Sequence, residues 1–107
     1  MKTENVVHIL SALAYEARLD IYRYLVRIGP DGAAAGDIAA ACDISASTLS
    51  HHLNQMRSSG LVDRERKARS LIYSVNFDAM NDLIGFLSDE CCEGKPELCL
   101  DQKGNET

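Results

Sequence analysis

Residues 46–59 carry the clearest hydrophobic pattern in the chain. Ala46, Leu49, Leu53 and Met56 recur at i, i+3, i+7 and i+10, which predicts one buried stripe along a helix. Ser45 suits the N-cap, where its hydroxyl can satisfy an orphan backbone N–H, and Gly60 marks the end. His52, three residues after Leu49, leans toward the stripe and reads as a packed, hydrogen-bonded core histidine rather than a ligand. Ser47, Thr48, Ser50, His51 and Gln55 fall outside it. Upstream, residues 4–14 place Val7, Leu10 and Leu13 at helical spacing. A second helix is expected over 15–28, with Leu19, Ile21, Tyr22, Leu25 and Val26 on its apolar side. "GPDG" (29–32) stops it, because Pro breaks the hydrogen-bond ladder and Gly supplies turn dihedrals. A short helix over 36–42 ("GDIAAAC") precedes the one at 46–59.

After Gly60 the period changes. "LVDRERKARSLIYSV" (61–75) alternates, is rich in Val, Ile and Tyr, and has a basic middle, so it predicts a two-stranded hairpin with a charged tip. A last helix begins after "NFD", with Asp78 as the expected N-cap and Met80, Leu83, Ile84 and Leu87 as its apolar positions. The predicted fold class is mainly α with a two-stranded β-wing. Short helix, exposed polar helix and basic hairpin, in that order, make a winged helix-turn-helix.

The chain of 107 residues is one lean domain, of a size that a partner subunit often completes. Residues 1–93 are expected to form a DNA-binding and dimerisation domain, and residues 94–107 an acidic tail. No segment is apolar enough to span a bilayer and no signal peptide is legible, so a cytoplasmic protein without membrane contact is expected. The net charge of −5 argues against nucleic-acid binding only until its distribution is considered. Residues 1–77 carry +1 and residues 78–107 carry −6. Arg64, Arg66, Lys67 and Arg69 cluster in the hairpin, and a local patch decides whether phosphates are attracted. No Gly-rich phosphate loop, no nucleophile with a base and no catalytic carboxylate pair is present, so an enzyme is not expected.

From about Ala12 to Leu87 the chain resembles the ArsR/SmtB metal-sensing repressors. The resemblance is carried by "RLDIYRYL" (18–25), by "STLSHHLNQMRSSGLV" (47–62), which matches the family's S-x-H-L followed by SGL, and by "LIYSV" (71–75). It implies a dimer on double-stranded operator DNA, with Ser47, Ser50 and His51 at DNA-contacting positions. Thr48 and Gln55 join them through exposure on the same helix. Hydroxyls and imidazole can bond base edges or phosphates, and Arg64, Arg66, Lys67 and Arg69 would neutralise the backbone. The family usually has Gly in the wing turn where this chain has Ala68; a positive φ there would cost about 1 kcal/mol, so the tip is expected to take another shape.

The family's sensing sites differ among its members. The arsenic site of the third helix is absent, since Ala34, Gly36 and Ala39 stand where its thiols would be. The zinc site of the last helix is absent too, because "DAMNDLIGFLSDE" (78–90) has no His. Cys91, Cys92 and Cys99 remain, in "ECCEGKPELC" (90–99). Soft thiolates select soft ions, and trivalent arsenic, or antimonite, is satisfied by a three-sulfur pyramid. The spacing also resembles family members with a CC-x5-C arsenite site after the last helix, here with a six-residue spacer. Zinc wants a fourth ligand, and Cys42 reads as a buried small hydrophobe instead. No constitutive cofactor is expected. The acidic surroundings of the three thiols raise rather than lower their pKa values, which disfavours a free reactive nucleophile. Two alternatives stay open: a redox regulator that forms disulfides among these cysteines, and a DNA-free interaction module that uses the acidic tail.

Overall fold

The computed structural model describes residues 1–89; the expected boundary between residues 93 and 94, and Cys91, Cys92 and Cys99, lie outside them. Five helices and three short strands follow one another as α1 (Thr3–Leu13), α2 (Glu16–Ile28), β1 (Ala33–Ala34), α3 (Ala35–Cys42), α4 (Ala46–Ser58), β2 (Val62–Lys67), β3 (Ser70–Val75) and α5 (Phe77–Ser88). This is the winged helix-turn-helix that the sequence predicts, with one addition. The two-residue strand β1 pairs antiparallel with β3 (Ala33 opposite Tyr73, Ala34 opposite Ile72), giving the sheet order β1-β3-β2.

Gly32 makes that third strand possible. Its φ is +72°, and a Cβ there would lie 2.5 Å from the Tyr73 carbonyl oxygen and 2.9 Å from a methyl of Ile72. Gly32→Ala should therefore destabilise the fold by about 1–3 kcal/mol, the range for strained backbone held by its surroundings. An unchanged thermal midpoint would show that β1 does not need this close approach.

The core is built from Ile21 and Leu25 of α2, Ile38 of α3, Leu49, Leu53 and Met56 of α4, and Leu61, Val62 and Tyr73 of the sheet region. Of its fully buried members, Ile21, Leu25, Leu49, Leu53 and Met56 belong to the stripes that the periodicity marks, and Ile38, Leu61 and Val62 lie outside them. Three stripes depart from expectation, and that of α1 is shifted in phase. In α1 the buried residues are Val6, Ile9 and Ala12, while Val7 and Leu10 of the expected stripe are 56% and 43% exposed. Helix α1 is apolar on two faces, and its own chain covers only one of them. In α4, Ala46 is exposed because it sits in the first turn, ahead of the packed stripe of Leu49, Leu53 and Met56. Leu19 of α2 is also exposed, whereas Ile21, Tyr22 and Leu25 are buried.

Helix α5 starts two residues earlier than expected. The Asn76 side chain, not that of Asp78, caps it by accepting from the Ala79 N–H at 3.0 Å. Against its own chain α5 buries only Leu83; Ile84 and Leu87 stay 51% and 60% exposed. The wing turn also departs from expectation. Ala68 does not reshape the tip but adopts the left-handed conformation itself, at φ +57°, because the pairing of Lys67 with Ser70 leaves only two loop residues.

Candidate nucleic-acid interface

The helix-turn-helix is formed by α3, a three-residue turn (43–45) and α4. Asp43 turns the chain with a left-handed φ of +56°, and the Ile44 N–H returns to the Ala39 carbonyl at 3.1 Å. Ser45 then caps α4: its Oγ accepts from the Thr48 N–H at 3.2 Å and donates to Thr48 Oγ1 at 2.9 Å. With Leu49, Leu53 and Met56 anchored in the core, about 100° of rotation per residue carries Ser47 and His51 to the opposite face. Ser50 flanks that face on one side, Thr48 and Gln55 on the other; all five are exposed. Asn54 belongs to this face as well, between Ser50 and Ser47 in angle, and it is exposed. The hydroxyl and imidazole pattern did not point to it, although a helical wheel centred on Leu49 and Leu53 finds it, and an amide can bond both edge atoms of adenine.

The wing separates its charges by face. Register pairs Arg64 with Tyr73 and Arg66 with Leu71, while Asp63, Glu65 and Lys67 oppose Ser74, Ile72 and Ser70. Because successive side chains alternate, Arg64 and Arg66 share one face of β2, and the two acids share the other with Lys67. Lys67 Nζ lies 3.9 Å from Glu65 Oε1, an exposed contact that contributes little to stability. Arg69 stands in the turn, and all four basic side chains are exposed.

Behind α4 lies a pair that the sequence does not reveal. Arg18 of α2 is the buried charged residue of the core, 5% exposed. Its Nε donates to His52 Nδ1 at 2.9 Å, its Nη1 reaches the Ala12 carbonyl at 3.4 Å, and its guanidinium lies 4.0 Å from the centre of the Tyr15 ring. Arg18 thus ties the end of α1 and the start of α2 to the recognition helix. His52 is hydrogen-bonded as expected, but it is half-buried at the edge of the core rather than within it. Because Nδ1 accepts, the neutral imidazole carries its proton on Nε2.

Burial, then the Arg18 charge, then His51 hold the His52 pKa below its ordinary value. An unfolded chain takes up this proton near pH 6.5, and the folded chain resists it to lower pH. The contribution of the pair is therefore complete above about pH 6.5 and is lost as pH falls through the depressed folded value. Melts at pH 7.5 and 5.5 should show the native protein losing more stability than His52→Gln. Equal losses would contradict the linkage.

Cys42, at the end of α3, is half-buried rather than fully packed. Burial and Asp20 push its thiol pKa up, with Arg27 opposing. Among the described residues, no group of three or more His, Cys, Asp or Glu side chains is placed to hold a metal ion. No helix there is long and apolar enough to cross a membrane.

Comparison with known proteins agrees with this architecture. A helix-turn-helix domain family matches residues 13–65. The HTH-type transcriptional regulator YgaV of Escherichia coli is 35% identical over 89 residues, covering 83% of this chain and 88% of YgaV. The crystal structure of NolR from Sinorhizobium fredii superposes with a TM-score of 0.65 at 35% identity, covering 80% of this chain and 83% of NolR. A solution structure from Mycobacterium bovis, described as a homodimeric winged helix-turn-helix DNA-binding domain and "a possible ArsR-family transcriptional regulator", superposes with a TM-score of 0.66 at 27% identity, over 86% of this chain and 85% of that one. Together with the exposed face of α4 and the basic wing, these likenesses identify a DNA-binding transcriptional regulator rather than an enzyme, and the chain belongs to the ArsR/SmtB family of winged helix-turn-helix proteins.

Proposed function

We propose that this protein is a cytoplasmic, arsenite-responsive repressor that holds operator DNA as a homodimer and leaves it when trivalent arsenic, or antimonite, binds Cys91, Cys92 and Cys99. The observation that carries the DNA half is the exposed face of α4, with Ser47, Ser50, His51 and Asn54 outward and Leu49, Leu53 and Met56 fixed in the core. Such a helix enters a major groove with short polar side chains at base edges, while the wing arginines lie against phosphates. The homodimer is supported by the uncovered apolar residues of α1 (Val7, Leu10) and α5 (Ile84, Leu87), and by the homodimeric state of the similar Mycobacterium bovis domain. A two-fold dimer presents its two recognition helices to adjacent major grooves of an imperfect palindrome.

The inducer half rests on the sequence. Three thiols meet the coordination demand of trivalent arsenic without a further ligand, and α5 ends at Ser88, three residues before Cys91. Arsenic-edge X-ray absorption of the protein with one equivalent of arsenite per chain tests it. Three sulfur neighbours around arsenic are expected; arsenic that keeps its oxygen neighbours would refute the site. Mass spectrometry after peroxide distinguishes the redox alternative, in which these cysteines would form disulfides without arsenic.

The wing arginines should act through phosphates. Arg66→Ala or Arg69→Ala is expected to weaken binding to operator and to random duplex alike. Each should lower the slope of log affinity against log salt by about one. A change in sequence preference would show instead that the wing reads bases.

A further inference from the structure

A cleft of about 350 Å³ opens between α1, the start of α2 and α4, and it stands apart from the groove-facing residues Ser47 and Ser50. His8, Ser11, Tyr15, Arg18, His51 and Gln55 line it, so every polar side chain in its wall can donate a hydrogen bond and none is a carboxylate. Arg18 is 5% exposed, and among the described residues no acid pairs with it. Its two hydrogen-bond partners, His52 Nδ1 and the Ala12 carbonyl, are uncharged and leave Nη2 without one. A buried guanidinium without a counter-charge is costly, and an anion in the cleft would offset that cost. Helix α2 adds a second, independent feature: Tyr15 stands at its N-cap without a side-chain capping bond, so the first N–H groups of this 13-residue helix are uncapped beside the cleft.

We propose that this cleft is a phosphate-binding site that receives a backbone phosphate of the bound DNA. The assignment rests on the DNA-binding reading of α4 and follows from where the cleft lies. Gln55 lies on the flank of α4 that faces α1, and His51, one turn before it, lines the cleft from the edge of the groove-facing surface. A helix with its side chains is about 10–12 Å wide and the major groove about 12 Å, so a flank of an inserted helix meets the sugar-phosphate wall rather than base edges. Arg18 then has two roles, holding α1 and α2 to α4 through His52 and giving its charge to the phosphate. His8, an exposed residue of α1, closes the outer side of the site.

Two measurements test this. Fluorescence anisotropy with a labelled promoter fragment and a random duplex should show His8→Ala weakening both to the same extent, roughly tenfold, the loss expected for one hydrogen bond to a charged group. Arg18→Gln, with its fold checked by thermal melt, should lower the salt slope by about one. In the free protein, histidine ring NMR signals of His8 and His51 should move saturably with inorganic phosphate at constant ionic strength, and not with chloride. Unmoved rings together with unchanged DNA affinity in His8→Ala would overturn the site, and this holds if Arg18→Gln fails to fold. Moved rings with unchanged DNA affinity would assign the cleft to a free anion and overturn the backbone assignment. A loss confined to the specific fragment would also overturn it, because a phosphate contact carries no sequence information. Failure of the native protein to bind any duplex would remove the DNA reading itself, which the ring titration does not depend on.

Discussion

Serine at any one of Cys91, Cys92 or Cys99 should leave operator binding intact and abolish or blunt its release by arsenite. A ligand shifts an equilibrium only through unequal affinity for the two states, so DNA-bound and arsenite-bound protein must be alternatives. Drawing three thiols onto one ion constrains the chain just beyond Ser88, where α5 ends. Helix α5 buries Leu83 and packs Phe77 and Met80 partly against the core, and its outer residues Ile84 and Leu87 are those assigned to the dimer seam. A helix anchored so lightly can shift without unfolding the domain, and a shift at the seam alters the spacing of the two recognition helices. An allosteric coupling of about 1–3 kcal/mol would weaken operator affinity roughly 5- to 150-fold. Cys42→Ser should change neither binding nor release, since Cys42 sits at the end of α3, partly packed against the core. A Cys42 variant that no longer responds, beside a Cys99 variant that releases normally, would move the sensor out of the tail.

The second large effect belongs to α4. Ser50→Ala combined with His51→Ala should abolish specific operator binding while the dimer and the thermal melt stay as they are. Both side chains are exposed and bury nothing, so their loss costs the fold little. Facing DNA, each supplies a hydrogen bond at a base edge or a phosphate. Removing both deletes contacts worth about 1–3 kcal/mol apiece. Normal operator binding by the double variant would mean that the other exposed residues of α4, Ser47, Asn54 and Gln55 among them, carry the recognition.

How much of this was legible in the sequence varies by element, for physical reasons. Helix α4 was readable because its cap, its stripe and its terminal glycine all belong to one local segment, and local signals survive in sequence. In helix α1 the expected stripe lies one position out of phase: both its faces are apolar, and periodicity cannot tell the face that meets the core from the face left for a partner. Strand β1 is two alanines long and exists only because β3 lies beside it, so no periodicity could announce it. Asn76 and Asp78 are both good capping residues, and the end of β3 at Val75 decides between them. The Arg18–His52 pair joins residues 34 apart, and its significance appears only when α2 packs against α4. The alternation of the hairpin showed that it was basic, but only the register showed that Arg64 and Arg66 share one face and Asp63 and Glu65 the other.

The most direct test of the whole account is one titration. A fluorescently labelled promoter fragment is saturated with the reduced protein at fixed salt, and arsenite is added while anisotropy is followed. Release should be saturable, reach completion near one arsenite per chain, reverse with an excess of a dithiol, and be absent with zinc. DNA that stays bound at saturating arsenite, or that is released equally by zinc, would contradict the claim that a three-thiol tail site controls DNA binding.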